Sequence, residues 1–279
     1  MSSTLLCGRF ELDLERPLIM GIVNVTPDSF SDGNKHFSAD QAIAHGRLLI
    51  EQGADILDIG GESTRPGADP VPADEELKRI LPVIRGLHDA GVPLSIDTFK
   101  PEVMRGALEA GADMINDIYA LRLPGALAAV ADSRCCVCAM HMQGDPKTMQ
   151  QAPRYENVMQ DVEQFLHERI AALLEAGIDR RRIVLDPGFG FGKTPQQNYL
   201  LLRRLHELDG QGYPWLLGLS RKSMIGHIVD REPAQRVSGS VAAALAGLAR
   251  GANILRVHDV AETADAVKVW RAIEHGDFL

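Results

Sequence analysis

Five times along the chain a glycine closes a helix-like stretch and is followed by a short apolar run ending in a polar residue. These are Gly53 to Asp58, Gly91 to Asp97, Gly111 to Asn116, Gly177 to Asp186 and Gly251 to Arg256. The words themselves rhyme, as in EQGADILDIGG, EAGADMINDI and ARGANILRVHD. Each reads as a helix stopped by a left-handed glycine that feeds a buried parallel strand. Repetition of that unit predicts a closed or doubly wound α/β sheet, and the polar residues at the strand ends predict a site.

Three further runs fit without the glycine: Leu18 to Asn24, Cys135 to His141 and Trp215 to Ser220. Eight strands result, with polar ends at Asn24, Glu62, Asp97, Asn116, His141, Asp186, Lys222 and Arg256. These ends recur about every 33 residues, close to one βαβ unit. The 279 residues approach the ~250 typical of a (β/α)8 barrel. The expectation is a single TIM-type barrel domain over 1–279, in which the strands' C-terminal ends ring one pocket. A doubly wound open sheet is the competing architecture and would gather fewer of them at one crevice.

Between the strands, Ser38 with Gln41 forms a candidate capping box. Val158, Val162, Phe165, Leu166, Ile170 and Leu173 keep a 3.6-residue stripe along a long helix. The stretch from Ala234 to Leu248 is nearly continuous Ala, Val, Leu and Gly, which predicts burial on more than one side and leaves room for a subunit interface.

A net charge of -9 argues against nonspecific nucleic-acid binding, so an anionic ligand needs a local basic cluster. The first residues, MSSTLLCGRFELDLERP, lack a basic start and a long apolar stretch, and no apolar run approaches the length of a membrane span. Both features favour a cytoplasmic protein. Cys7, Cys135, Cys136 and Cys138 match no zinc spacing and read better as small hydrophobes in a buried strand. The run DPGFGFGKT (186–194) resembles a phosphate loop, but three residues separate Gly188 from Gly192 where a Walker A loop needs four. Its glycines suit a tight turn or a backbone approaching a flat ligand.

The strand ends offer two kinds of chemistry. Asp97, Asp186, Asn116 and Lys222 are a mixed donor and acceptor set suited to a planar heterocycle, since a carboxylate can accept two parallel bonds from a ring N–H and an exocyclic amine. A barrel-mouth salt bridge involving Lys222 is the alternative for any one of them. Arg65, Arg256 and His258, with Asn24 and Thr64 near them, form an anion site suited to phosphate. Asn24 adds a neutral oxygen of the kind Mg²⁺ takes alongside water and substrate phosphates. Pairing of Arg256 with Asp259 competes, although residues 256 and 258 should point the same way on a strand. The loops NVTPDSFSDGN and GGESTRPGADP are candidate lids, and Phe30 within the first could close over an aromatic substrate.

These residues sit in motifs that resemble a known family. MGIVNVTPDSFSDG (20–33) and GESTRPGA (61–68) are similar to the two signatures of the dihydropteroate synthases. SIDT, NDI, MH, DPGFGFGK, GLSRKSMIG and RVHDV follow in the family's order, so the likeness runs from Leu18 to Ile273. The resemblance implies condensation of 6-hydroxymethyl-7,8-dihydropterin pyrophosphate with 4-aminobenzoate, Mg²⁺ as cofactor, sulfonamides as competitors of 4-aminobenzoate, and a homodimer. Carried over, Asp97, Asn116, Asp186 and Lys222 would hold the pterin edges, with Ile118, Met140, Phe191 and Gly218 against its faces. Asn24, Arg65, Arg256 and His258 would hold pyrophosphate and Mg²⁺, Asn24 as the metal ligand. Phe30, Thr64, Pro66, Lys222 and Ser223 would form the aminobenzoate pocket. Asp97, Lys222, Arg65 and Arg256 would carry the catalytic load. Two other readings share the pterin pocket: a corrinoid-linked methyltransferase domain, which has no pyrophosphate to hold, and a catalytically silent paralogue. Arg65 and Arg256 with His258, together with both lid signatures, argue against the first, and Asn24, Arg65 and His258 against the second.

Overall fold

The computed structural model describes residues 4–25, 35–63 and 69–276, and of residues 35–38 the backbone course only. An antiparallel hairpin opens the chain, β1 (Thr4–Cys7) against β2 (Phe10–Asp13). Eight strands then follow: β3 (Leu18–Asn24), β4 (Ile56–Gly60), β5 (Leu94–Asp97), β6 (Met114–Asp117), β7 (Cys136–Met140), β8 (Ile183–Asp186), β9 (Leu216–Leu217) and β10 (Ile254–Val257). Between and after them run α1 (Lys35–Glu51), α2 (Ala73–Leu87), α3 (Pro101–Glu109), α4 (Ala126–Ala131), α5 (Val158–Glu175), α6 (Pro195–Arg203), α7 (Ser223–Val229), α8 (Val237–Leu248) and α9 (Val260–His275). The eight strands are parallel, in spatial order β8-β7-β6-β5-β4-β3-β10-β9. A parallel bridge between Leu185 and Trp215 joins the two ends of that series into a ring. The chain is a (β/α)8 barrel.

The repeat that suggested the barrel is also its punctuation. Gly53, Gly91, Gly111, Gly177 and Gly251 all hold φ between +79° and +105° in the turns between a helix and the next strand; Gly53, Gly111 and Gly177 follow directly on the ends of α1, α3 and α5, whereas α2 already ends at Leu87 and α8 at Leu248, ahead of Gly91 and Gly251. Along the strands, side chains alternate between two layers. Leu18, Met20, Ile56, Met114, Cys136, Cys138, Val184, Leu216 and Ile254 fill the barrel interior, and Leu5 and Cys7 of the hairpin complete that cluster. Ile19, Leu57, Ile59, Ile96, Ile115 and Val137 face the helices. The inward series turns from apolar to polar toward the strands' C-terminal ends, which places the site there.

Several local expectations are met and some are corrected. The α5 stripe buries Val158, Val162, Leu166, Ile170 and Leu173, with Asn157 capping the helix through Met159 and Gln160. Helix α1 begins at Lys35, so Ser38 lies inside it and is not its cap; the capping box forms instead at Thr194 and Gln197, at the head of α6. Helix α8 is buried along the face of Ser240, Ala243, Ala244, Gly247 and Leu248, while its other face stays half exposed. All four cysteines are buried and unpaired. The hairpin was not expected, because it precedes the first repeat and its strands are only four residues long.

Candidate active site at the barrel mouth

Asp58, third residue of β4, is fully buried and faces inward. It accepts from Ser95 Oγ at 2.6 Å, Asn116 Nδ2 at 3.3 Å and Arg256 Nε at 2.6 Å. Arg256 reaches on through Nη2 to Asp97 Oδ2 at 2.7 Å. Residues of β5, β6 and β10 thus meet at Asp58 of β4, and the guanidinium of Arg256 spans the two carboxylates of β4 and β5 with a fork suited to them. Burial alone would lower the Arg256 pKa, but Asp58 and Asp97 outweigh it and hold the cation above its ordinary range.

Asp97 is the unbalanced member. Burial pushes its carboxyl up to about 7, against the opposing pull of Arg256. Its other oxygen, Oδ1, is buried and has no hydrogen-bond partner. An unsatisfied buried acceptor costs about 1–3 kcal/mol, and such groups are kept where a ligand supplies the missing donor.

Asp186 ends β8 on the same inner face, its pKa raised by burial and opposed by Lys222. Its Oδ1 accepts from Gly188 N at 2.7 Å. Lys222 precedes α7 in extended conformation, on a turn pinned by Arg221, which pairs with Asp259 and takes Ser240 Oγ on its backbone N–H. Lys222 Nζ donates to Phe189 O and lies 4.7 Å from the centre of the Phe191 ring, and burial lowers its pKa to about 8. Gly218 leaves the floor open beside both cations: a β-carbon there would sit 3.6 Å from Lys222 Nζ and 3.9 Å from Arg256 Cδ. Opposite, Ile118 and Met140 join Met142 and Met149 in an apolar cluster edged by Phe99, Tyr119 and Phe191. A flat ligand entering here meets apolar faces and polar edges.

The expected pterin residues are therefore brought together. Asn24 lies half-buried at the end of β3. His258, two residues beyond Arg256, places Nδ1 3.0 Å from Ser220 Oγ. Ser223 opens α7 and is exposed. Phe30, Thr64, Arg65 and Pro66 lie outside the described residues. The competing pair Arg256–Asp259 does not form; Arg221 takes Asp259 instead.

Two polar ends do not reach the mouth. His141 falls on the outward side of its strand, against Lys193 Nζ at 2.9 Å. Glu62 turns away to Lys100 at 2.6 Å and accepts the Val71 backbone N–H at 2.8 Å, closing the base of the second signature loop. Asp58 was missed as a site residue because the strand's polar end was placed at Glu62. The signal was present: an aspartate inside an otherwise apolar strand, ILDIG, on the inward phase set by Ile56. Away from the mouth, a hollow of about 310 Å³ near Leu14 and Tyr213 takes its charges from Arg180, Arg181 and Asp209, all exposed.

A family model described as pterin binding enzyme matches residues 20–258. The dihydropteroate synthase of Escherichia coli (strain K12) is 51% identical over 262 residues, covering 94% of this chain and 93% of its own. The chain belongs to the dihydropteroate synthase family. Among solved structures of dihydropteroate synthases, that of Xanthomonas albilineans with 4-aminobenzoic acid superposes with a TM-score of 0.93 at 57% identity, covering 99% of both chains. A Yersinia pestis member in a sulfonamide drug complex gives a TM-score of 0.92 at 49% identity, over 97% of this chain and 98% of that one. Members so alike over whole chains share the (β/α)8 frame, and in this dihydropteroate synthase the frame carries the buried Asp58–Arg256–Asp97 cluster at its mouth.

Proposed function

We propose that this chain joins 6-hydroxymethyl-7,8-dihydropterin pyrophosphate to 4-aminobenzoate, forming 7,8-dihydropteroate and releasing pyrophosphate. The observation that carries the reading is the orphaned Asp97 Oδ1, a buried acceptor without a donor at the end of β5, on the same inner face as Asn116 and Asp186 and within electrostatic reach of Lys222. Ring N–H and amine groups of a pterin would satisfy the acceptors of Asp97, Asn116 and Asp186, and an acceptor on the ring would take Lys222 Nζ, with Ile118, Met140 and Phe191 against its faces.

An arylamine is a weak nucleophile, so the pterin methylene must become strongly electrophilic. The C–O bond to pyrophosphate breaks ahead of C–N bond formation, in a substitution with SN1 character. The carboxylate of Asp97, already in place, stabilises the resulting pterin-methyl cation without reorganising. Arg256, with Arg65 and His258, stabilises the departing anion, and the loops exclude water that would capture the cation. Asn24 suits Mg²⁺, because a neutral amide oxygen leaves the rest of the coordination shell to water and phosphate oxygens. No group of three metal-ligating side chains occurs among the described residues, so such an ion would rest mainly on the substrate. When bound, it neutralises pyrophosphate charge. Phe30, Thr64, Pro66, Lys222 and Ser223 would hold 4-aminobenzoate, and sulfonamides would compete there.

The half-exposed face of α8 supports a homodimer, and four unpaired thiols support a reducing compartment such as the cytoplasm. No helix among the described residues is long and apolar enough to cross a membrane. The test is turnover: the purified protein with both substrates and Mg²⁺ should yield 7,8-dihydropteroate. Pterin binding without turnover would instead support the silent paralogue, and methyl transfer to a corrinoid partner the methyltransferase.

A further inference from the structure

The run DPGFGFGK after β8 is held in an unusual way. Five consecutive carbonyls, from residue 188 to 192, each accept a hydrogen bond from a side chain. Lys193 Nζ donates to Gly188 O at 2.8 Å and Phe191 O at 3.2 Å. Lys222 donates to Phe189 O, Gln150 Nε2 to Gly190 O at 2.5 Å, and Tyr155 OH to Gly192 O at 2.8 Å. Asn198 accepts the Gly190 N–H at 2.7 Å. A glycine-rich segment of this kind would otherwise have many conformations open to it. Here nearly every backbone group is spoken for.

Lys193 is the centre of this arrangement. Its side chain is only 2% exposed, so it has no route to a ligand phosphate and turns instead into the loop's own carbonyls. Its third partner is His141 Nδ1 at 2.9 Å. Burial, with Lys193 beside it, pushes the His141 pKa down to about 2, so the imidazole is neutral and its Nδ1 is free to accept. Burial lowers the Lys193 pKa to about 7, while three acceptors around one Nζ favour its protonated form; the side chain thus ties the loop to the end of β7, and Gly188 packs so close beneath it that a β-carbon would lie 1.8 Å from His141 O. The groups displayed by this segment are Asp186 at its start, Phe191 at its crest and Lys222, which leans on Phe189 O.

We propose that Lys193 is a positioning residue for pterin recognition: its buried ammonium fixes the 188–192 backbone so that Asp186, Phe191 and Lys222 present a preformed wall to the ring. The inference rests on the pterin reading of the mouth. Lys193 touches no substrate; it removes the ordering cost that a loose glycine loop would impose on each binding event.

The test uses the full-length enzyme and the variants Lys193→Met, which keeps the length and removes the charge, and Tyr155→Phe, which removes one hydroxyl. In folded Lys193→Met, KM for the pterin pyrophosphate should rise at least about tenfold while kcat at saturation stays within about threefold. Affinity for oxidised 6-hydroxymethylpterin, measured calorimetrically without turnover, should fall in parallel. Tyr155→Phe should move the same way by about two- to threefold. A purely structural role would lower the melting temperature and leave KM of the folded enzyme unchanged, which overturns the proposal. So does a loss confined to kcat. Should Lys193→Met fail to fold, Tyr155→Phe and Gln150→Ala decide: wild-type KM in both overturns it, and a raised KM supports it. A wild-type enzyme that neither binds nor turns over the pterin would count against the functional reading instead.

Discussion

Arg256 bonds Asp58 and Asp97, residues 198 and 159 positions away in the chain, at 2.6 and 2.7 Å. The contact fixes β10 against β4 and β5 across the barrel interior, and it leaves Asp97 Oδ1 buried without a hydrogen-bond partner. Stability and recognition therefore share one cluster, and substitutions can separate them.

Asp58→Asn keeps the shape but sets an amide against Arg256 where a buried carboxylate stood. Breaking one side of a buried ion pair costs about 3 kcal/mol. The variant should lose about that much in urea denaturation and bind pterin more weakly, because Arg256 and Asn116 both lose their anchor. An unchanged midpoint would mean that Asp97 alone holds Arg256.

Asp97 gives a pH signature. Its folded pKa of about 7 lies above the ordinary 3.8, so the folded chain holds this proton over a window in which the unfolded chain has lost it. The associated stability is complete below about pH 4 and is lost as pH rises toward 7. Asp97→Asn cannot titrate, so it should gain on the wild type across that window. Denaturation midpoints of both proteins at several pH values check this, and a constant difference would contradict the raised pKa.

The barrel was legible because its punctuation is local: five left-handed glycines stand between a helix and the next strand whatever their neighbours are. Asp97, Asn116, Asp186 and Arg256 were legible because a polar residue ending an apolar strand faces the mouth or wastes its charge. His141 ends its strand equally well but on the outward phase, and only the partner Lys193 explains it. Asp58 carried the same local signal, as the polar end of the first repeat on the inward phase, and was set aside for Glu62; what no local pattern shows is its three partners on β5, β6 and β10. Phase within a strand can be counted from sequence. Partners across a barrel cannot.

Gly188→Ala tests the tight seat under the pterin loop. With φ of +71° and a β-carbon 1.8 Å from His141 O, the substitution combines backbone strain with a clash against backbone. It should destabilise by more than about 2 kcal/mol and abolish pterin binding. Gly177→Ala is the control, because φ is +81° there with nothing within 4 Å, and strain alone should cost about 1 kcal/mol. Thermal denaturation compares the two; equal losses would show that the contact with His141 contributes nothing.

An order of binding is expected from the residues proposed for the aminobenzoate pocket. Phe30, Thr64 and Pro66 belong to two loops rich in Gly, Pro, Ser and Asp, with little apolar sequence to hold them down. Asn24 ends β3 and Glu62 stands on the turn after β4, tied to Lys100 and Val71. An anion and Mg²⁺ held by Asn24 and Arg65 would order the loops between these fixed points, so the first ligand meets the ordering cost for the second. Such positive coupling is typically ~1–3 kcal/mol, or about five- to 150-fold in affinity. Labelled 4-aminobenzoate should therefore bind weakly to the enzyme alone and strongly with pyrophosphate and Mg²⁺ present. Chelating the metal with EDTA should return the weak binding. Equal affinity under all three conditions would mean a preformed aminobenzoate pocket, and ordered binding would have to be given up while the pterin wall at Asp97, Asp186 and Lys222 stood.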